Sequence, residues 1–498
     1  MNGFLLTDQM AAKGFIPGVA DGGGWDAIGG LNKNLQFEDV EEFRKAVVAG
    51  YGTDVAALTG GGALRLQSLE PTLLKAIQEE DDFKLFNALA KSSATATVDE
   101  YTRKLRIGGV PGGTFNSELG VIPESAGEYE RKAGFVKFLM TMRAVSAVQR
   151  SQKTLIDTMA DQNMDATLEL LTSAEWGCFY GQASCSPVEF DGIFPTIEAL
   201  GGDHVVDLRG GTITPNAREF IESAQLVHGL GFHGKLSAAF CSDAVQADLD
   251  QKLDPAHRVN IGGAANQDIK IGTPVAGVRT SWGNIMMNPD IFVEEGGKPW
   301  QAKGDAYAAN VAASGAVAPS SVAGVPGSHA SSQFATAQGG LYYYAVEAGN
   351  KAGRSALVKS AQVTVAAGER VVLTITHGSG SNATYFVIYR GRKNGSNADI
   401  DFREMARIPA SGLGAGTTVY NDANQNIPGT SSIALLTMKP SAITIRRLLP
   451  MTRFPLYPTN TAAYPWAQLL FMYLRIALPK QHRVIKNVLP SGQIWRPF

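Results

Sequence analysis

The sequence has little cysteine and little charge. Its 498 residues include three cysteines, and charged residues make up 18% of the chain, below the ~25% usual for soluble proteins. Cys178, Cys185 and Cys241 cannot form an even disulfide framework and contain no C-x-x-C pair, so we expect synthesis in a reducing cytoplasm and cysteines that serve as small buried hydrophobic residues. No apolar run reaches the ~18 residues of a membrane helix, and the first residues lack a basic n-region. These absences argue against export by a signal peptide and against a membrane partner.

Catalytic patterns are also missing. The segment 229–235 resembles a phosphate loop up to Lys235, but Leu236 stands where Ser or Thr must hold magnesium, and a helical pattern precedes the segment where a strand is needed. The seven histidines include no pair at i, i+4 spacing, and there is no G-x-S-x-G elbow. We therefore expect no catalytic residue, cofactor or metal site. A cytoplasmic enzyme built on the broken phosphate loop is the weakest alternative.

Charge is unevenly placed along the chain. Residues 151–328 have a net charge of −11, whereas residues 435–498 contain nine basic and no acidic side chains. One interpretation is that the two segments share a domain and neutralise each other. The other is that part of the basic surface faces nucleic acid, since phosphate attracts basic side chains at long range.

Three extended features precede the middle of the chain. Residues 1–35 are rich in glycine and indicate an extended arm, and helical patterns follow at 37–50 and 68–80. Residues 94–148 predict a long hairpin, because two β-prone arms flank a centre with six glycines and two prolines between Gly108 and Gly127. Residues 151–180 contain no proline and carry apolar residues at helical spacing, which predicts the longest helix of the chain.

The predicted hairpin is too polar to form a core by itself. Its first arm carries charged residues on both faces, and an isolated two-stranded ribbon is marginal in water. We expect it to rest on a neighbouring molecule, the alternative being a disordered surface loop. The candidate contact residues are Tyr101, Arg103, Lys104, Arg106, Glu128, Arg131 and Lys132.

A change of composition marks a separate β-rich module. Residues 305–333 are rich in Ala, Ser, Gly, Val and Pro and are typical of a linker. Residues 334–432 contain five β-prone runs separated by turn signals, which favours a small β-sandwich. Residues 435–498 return to a mixed pattern with LLFMYLRIAL as a buried strand before Pro479.

This order of features resembles the major capsid proteins of tailed bacteriophages, whose shell fold is shared with encapsulins and the herpesvirus capsid floor. The stretches ALRLQSLEPTLLKAI, DDFKLFNAL and TVDEYTRKL resemble the amino-terminal region of capsid proteins from large myoviruses, and GVRTSWGNIMMNPDIFVEE and AAYPWAQLLFMYLRIALPKQHRVIKNV resemble their later strands. The resemblance implies an α+β capsid fold with an N-terminal arm, an extended hairpin loop, a spine helix, and peripheral and axial domains. The implied divisions are: arm 1–60, helical segment 61–93, hairpin loop 94–148, spine helix with peripheral and axial domains 149–304, linker 305–333, insert 334–432 and return to the shell domains 433–498.

The insert has a resemblance of its own. YYYAVEAGNKAGRS is similar to the penultimate-strand signature of fibronectin type III and related immunoglobulin-like modules. About 80 β-rich residues follow this signature, so the module is either permuted or one and a half sandwiches. An insert on the outer surface would be a decoration, and deletion of residues 334–432 would leave assembly intact.

The resemblance implies a structural function. Many copies would assemble into hexamers and pentamers of an icosahedral head around packaged double-stranded DNA, with portal, scaffold and cement proteins as further partners. The protein would be assembled in the cytoplasm of the bacterial host and reside in the virion capsid. The alternative from another class is a secreted or surface protein whose fibronectin-like module binds glycan or matrix.

Overall fold

The computed structural model describes residues 82–498 except 111, 123, 153–156, 215–216, 230–231, 258–274, 294–314, 397–401, 415, 459–461 and 493–494. All described residues belong to one compact unit, Ala76–Phe498. The predicted arm 1–60 and the predicted helices at 37–50 and 68–80 lie outside the described residues, as does much of the helical segment 61–93.

Strands dominate the described part of the chain, and the class is α+β as expected. The helices are α1 (Lys84–Ala88), α2 (Ala147–Ser151), α3 (Thr158–Tyr180), α4 (Ile193–Glu198), α5 (Arg218–Gly229) and α6 (Asp243–His257). Short 3-10 helices occur at Gly202–His204, Thr336–Gln338 and Pro479–Gln481. No helix in these described ranges is long and apolar enough to cross a bilayer.

The strands are numbered in chain order. They are β1 (Lys91–Ser93), β2 (Val98–Arg106), β3 (Glu128–Phe135), β4 (Lys137–Ser146), β5 (Val205–Asp207), β6 (Ala238–Cys241), β7 (Gly277–Thr280), β8 (Gly283–Pro289), β9 (Ser321–Ser328), β10 (Gly340–Tyr342), β11 (Tyr344–Asn350), β12 (Gly353–Arg354), β13 (Val358–Lys359), β14 (Val363–Val365), β15 (Glu369–Thr376), β16 (Tyr385–Arg390), β17 (Arg403–Pro409), β18 (Thr417–Asp422), β19 (Ser431–Leu436), β20 (Ile443–Pro455), β21 (Ala463–Ile476) and β22 (Arg483–Val488).

Helix α3 packs on a four-stranded sheet of order β1-β20-β21-β4, which we call the long-helix sheet. Alternate residues of β21, among them Trp466 and Leu470, are buried on the α3 side. The sequence predicted one helix over 151–180, but α2 ends at Ser151 and α3 begins after Asp157, whose carboxylate caps it by accepting from the backbone N–H of Met159. With 23 residues, α3 is still the longest helix in the described ranges, about 35 Å at ~1.5 Å per residue.

A second sheet carries helices α5 and α6. Its order is β5-β22-β19-β6-β8-β7, and α5 and α6 bury Phe220, Val227, Val245 and Leu249 in the core beneath it. Segments that precede and follow the β-rich module meet here, because β22 pairs with both β5 and β19. We call the described residues of 82–293 and 425–498 the flanking segments.

The hairpin pairs β2 with β3 in an antiparallel ladder from Val98↔Phe135 to Arg106↔Glu128. The predicted second arm extended to residue 148, but the chain changes sheets at Val136, which is buried, and β4 pairs with β21 instead. Every second residue of β4, at Leu139, Thr141 and Arg143, faces α3. Thr141 and Arg143 both donate hydrogen bonds to the carboxylate of Glu169 in α3, which explains why β4 joins the long-helix sheet.

Residues 316–424 form two facing groups of strands, and we call them the β unit. One group is the sheet β18-β15-β9 and the other is the sheet β12-β11-β16-β17 with β13 beside β11, and a separate two-stranded sheet pairs β10 with β14. Apolar side chains of both, including Tyr344, Leu373 and Phe386, form one core. The predicted linker 305–333 is wrong at its carboxyl end, because β9 pairs along its full length with β15; its residues 305–314 lie outside the described residues.

Candidate functional site

The root of the hairpin is fixed to its own chain by Asp99. Its carboxylate accepts two 2.9 Å hydrogen bonds from Arg446 and one of 2.6 Å from the hydroxyl of Tyr473. Burial opposes ionisation of Asp99, but these hydrogen bonds outweigh it and hold its pKa below the usual value. On the opposite strand, a Cβ at Gly134 would lie 2.3 Å from Cε2 of Tyr473, so only glycine allows this close approach. The sequence analysis missed this anchor, since the partners lie more than 300 residues away.

The anchor also bears on the charge distribution. Arg446 and Arg475 of the basic carboxyl-terminal segment pair with Asp99, which lies outside the acidic segment 151–328. The acidic and basic segments do come close at Glu198 and Lys486. Burial raises the pKa of Glu198, and the positive charge of Lys486 partly offsets that rise. Mutual neutralisation therefore accounts for only part of the basic segment.

Several predicted contact residues pair across the hairpin ladder. Arg103 lies 2.6 Å from Glu130 on the facing strand. Lys132 is two residues from Glu130 on β3 itself and lies 2.7 Å from the same carboxylate. Arg106 lies 3.6 Å from Glu128. Cross-strand pairs of this kind contribute only roughly 0.2–1 kcal/mol each when exposed, so they set the register more than they stabilise the fold.

The other predicted contact residues also have partners in the same chain. Arg131 pairs with Glu100, the Lys104 ammonium lies 5.4 Å from the centre of the Tyr129 ring, and the guanidinium of Arg475 lies 5.4 Å from the centre of the Tyr101 ring. The side chains of Arg106 and Arg131 nevertheless remain 82% and 72% exposed. These outward ends are the part of the ladder open to a neighbour.

The loop that joins β2 to β3 is apolar and uncovered. We call residues 107–127 the hairpin tip. It contains two carboxylates and no basic residue, and its large apolar side chains are 75–96% exposed: Ile107, Val110, Phe115, Leu119, Val121 and Ile122. A monomeric protein rarely leaves such a cluster in water. The glycines of this segment were used in predicting the hairpin, whereas its apolar side chains were not predicted as a contact surface. The low charge of the segment is the signal that could have indicated one.

The tip lies at the far end of the ladder from the root. The nine residues of β2 span about 30 Å at ~3.3 Å per residue, and the root lies at Val98 and Phe135. The ladder contacts its own chain as far along β2 as Arg103, whose guanidinium donates to the backbone carbonyl of Ala477 (3.4 Å). The tip begins beyond that contact, and within one subunit its large apolar side chains stay exposed.

A second apolar surface lies on the long-helix sheet. Strand β4 forms its edge, and Phe138, Met140 and Met142 point away from α3 with 51–65% of each side chain exposed. The Phe138 ring also packs edge-on against Phe471 of the adjacent strand β21, with 4.8 Å between the ring centres. We call these residues the β4 face.

The β unit is attached firmly to the flanking segments of the chain. Arg407 donates two hydrogen bonds, 2.8 and 2.7 Å, to the carboxylate of Glu189, and its guanidinium stacks 4.0 Å from the centre of the Tyr385 ring. Cys185 of the flanking segments is buried among aromatic residues of β16. Trp176 and Arg407 also line a cleft of about 220 Å³ between the two parts. The β unit is thus packed on the rest of the described chain over an extended contact.

The structure describes the surroundings of the phosphate-like loop and of the three cysteines. No group of three or more His, Cys, Asp or Glu side chains within the described ranges could bind a metal. Helix α5 precedes the broken phosphate loop, and the Ser237 hydroxyl accepts from the backbone N–H of Met438. All three cysteines are buried as expected, and burial raises the pKa of Cys241 to about 12, which disfavours the reactive thiolate.

Comparison with known proteins identifies the kind of molecule. A search against protein-family models finds no match. The chain is 27% identical over 470 residues to a putative major capsid protein of Enterococcus phage phiEF24C, covering 92% of this chain and 97% of that protein. It is 24% identical over 484 residues to the major capsid protein of Staphylococcus phage S25-3, covering 92% and 98%. This chain has the role of a structural capsid protein.

Solved structures of shells are also similar to this capsid chain. The capsid of a native GTA particle matches with a TM-score of 0.47 and 9% identity, covering 87% of this chain and 98% of that one. The capsid of cyanophage P-SCSP1u matches with a TM-score of 0.45 and 8% identity, covering 91% and 98%. The sequence relatives alone confirm the structural capsid role predicted from the sequence.

Proposed function

We propose that many copies of this capsid chain assemble into hexamers and pentamers of an icosahedral head that encloses packaged double-stranded DNA. The observation that carries the proposal is the hairpin tip, an apolar cluster held about 30 Å from its root. The described part of its own chain leaves it uncovered. A second copy can cover it, and repetition of that contact generates a closed lattice.

The β4 face is the surface that would receive the tip. Both surfaces are apolar, and the two carboxylates of the tip, Glu118 and Glu124, can remain at the rim in water. Interface cores are depleted of charge in this way. The outward ends of Arg106 and Arg131 would then contact the neighbour beside the apolar seam, with Glu128 and Lys132 next to them on the same ladder.

We further propose that the β unit is the inserted immunoglobulin-like or fibronectin-like module. Two sheets with one shared core support this assignment. It would decorate the outer surface of the head. Portal, scaffold and cement proteins would be the remaining partners, and assembly would take place in the cytoplasm of the bacterial host.

Packaged DNA would be contacted without sequence preference. Three residues of the basic carboxyl-terminal segment are exposed: Lys439, Arg453 and Lys480. Arg446 differs from them because it forms an ion pair with Asp99. Such contacts are with phosphate and weaken as salt rises. They would neutralise DNA without selecting it.

Electron microscopy of the full-length chain, purified or overexpressed, tests the proposal. We expect closed shells, tubes or separate hexamers and pentamers. A protein that stays monomeric at every concentration and salt condition would contradict the proposed assembly. A monomer that bound glycan or matrix through the β unit would favour a surface-binding protein instead.

A further inference from the structure

Two buried carboxyl groups meet where the first described residues pack on α3. We call residues 83–89 the docking segment. Glu175 of α3 is 0% exposed, and its two oxygens accept hydrogen bonds from the backbone N–H groups of Leu85 (2.8 Å) and Phe86 (2.7 Å). Phe83, Leu85 and Phe86 bury their side chains in the same core. The carboxyl group of Glu175 is therefore the polar anchor of an otherwise apolar contact.

The second carboxyl group is that of Asp290, directly after β8. It is also 0% exposed. One oxygen accepts from the backbone N–H of Phe292 (2.9 Å), and the other, Oδ2, has no hydrogen-bond donor among the described residues. A proton on Glu175 supplies that missing donor. Burial, together with the charge of Asp290, raises the pKa of Glu175 to about 8, and burial raises the pKa of Asp290 too.

Other titratable groups surround the pair from each element packed against it. On the amino-terminal side, Lys84 donates to the backbone carbonyl of Pro289, and the Lys91 ammonium lies 4.5 Å from the centre of the Phe86 ring. The remaining groups close enough to act on the pair or on these lysines are Cys178, Cys241, Asp243, Asp250 and Arg447. Both thiols are buried with raised pKa, so they stay neutral.

We propose that one proton shared between Glu175 and Asp290 locks the docking segment onto α3, and that loss of this proton releases the segment. Two ionised carboxylates in a buried site repel each other, and neither can be rehydrated while the segment stays in place. The segment leads directly into β1, which pairs with β20 of the long-helix sheet. Alkaline conditions would thus loosen the start of the described fold before its sheets. The inference does not depend on the proposed shell assembly.

Hydrogen–deuterium exchange of the full-length chain tests this lock. After correction for intrinsic exchange, we expect protection of the Leu85 and Phe86 amides to fall at least tenfold between pH 6 and pH 9. The buried strand β16 serves as internal reference and should change less than threefold. Unchanged protection of the docking segment over this pH range would overturn the proposal.

Asp290→Asn separates the shared proton from general alkaline loosening. The new amide can still accept from Phe292 and donate to Glu175, so Glu175 can ionise without repulsion, and protection should become nearly independent of pH. Glu222→Gln, an exposed partner of Arg218, is the matched control and should behave as the parent. An Asp290→Asn chain that loosens as much as the parent would contradict the lock.

Infrared spectroscopy gives a readout that does not require a stable variant. The parent protein at pH 6 should show a protonated carboxyl C=O band that disappears by pH 9. Absence of that band at pH 6 would also overturn the proposal.

Discussion

The hairpin tip gives the sharpest test of how this chain assembles. Phe115 and Leu119 are 86% and 96% exposed within one subunit, so the double substitution Phe115→Ala, Leu119→Ala removes almost no intrachain packing. Exposed substitutions of this kind change the free energy of unfolding by about 0.5 kcal/mol or less. The folded subunit should therefore be unaffected.

Assembly should respond strongly to the same change. Burial of a Phe or Leu side chain contributes about 1.5–3 kcal/mol, so the pair contributes about 3–6 kcal/mol to each contact made by a tip. Since about 1.4 kcal/mol is tenfold in an equilibrium constant, the concentration needed for assembly should rise by about 100-fold or more. Incomplete burial in the interface would place the effect at the lower end of this range.

Light scattering and analytical ultracentrifugation over a dilution series measure that concentration, and urea unfolding of the unassembled subunit verifies the fold. Leu413→Ala is a matched control, because Leu413 is a 75% exposed leucine in the β unit, and it should assemble as the parent does. If the double variant folds normally and still assembles at the parental concentration, the tip is not the main contact.

Three further predictions concern the subunit itself. Asp99→Asn should lower the free energy of unfolding by about 2–3 kcal/mol at pH 7, whereas the exposed Glu100→Gln should lower it by under about 1 kcal/mol. The pKa of Asp99 is lowered in the fold, so its contribution to stability is lost as the carboxylate is protonated. In urea unfolding repeated from pH 5 toward pH 2, the difference in stability between Asp99→Asn and the parent should therefore shrink. Arg407→Ala leaves Glu189 without its bidentate partner and should cost about 3 kcal/mol and speed proteolysis of the β unit, an effect that Lys351→Ala should not reproduce. Burial lowers the pKa of His482 from 6.5 to about 4, so the folded state keeps this ring neutral while the unfolded chain binds a proton. The free energy of unfolding should therefore fall by about 3 kcal/mol as pH falls from 7 to 4. If His482→Asn loses stability with falling pH as steeply as the parent, His482 is not the cause.

Local patterns predicted most of the secondary structure. Apolar spacing and turn signals found α3, the two arms of the hairpin and the five β-prone runs of the β unit, because these depend on neighbours within a few residues. They missed β9 and the change of sheet at Val136, since both are decided by partners far along the chain: β15 for β9, and β21 for β4. The predicted deletion of 334–432 is affected directly, because it would remove β15 from β9 and the first residues of β19 from the six-stranded sheet.

The candidate site divides in the same way. Sequence reasoning selected the polar ladder of the hairpin on the ground that charge on both faces cannot be buried, yet most of those charges are paired within the ladder or with the chain's own sheet. The uncovered surface is instead the apolar tip, whose large side chains are 75–96% exposed. Asp99 fixes the other end of the ladder, the root, through Arg446 and Tyr473. The ladder is mainly polar where it is paired, although Leu105, Tyr129 and Phe135 are also exposed on it, and glycine stands at the position where the root approaches Tyr473. The most exposed apolar side chains of the hairpin lie at its far end, in the tip, which is where the proposed contact with a neighbouring subunit would bury them.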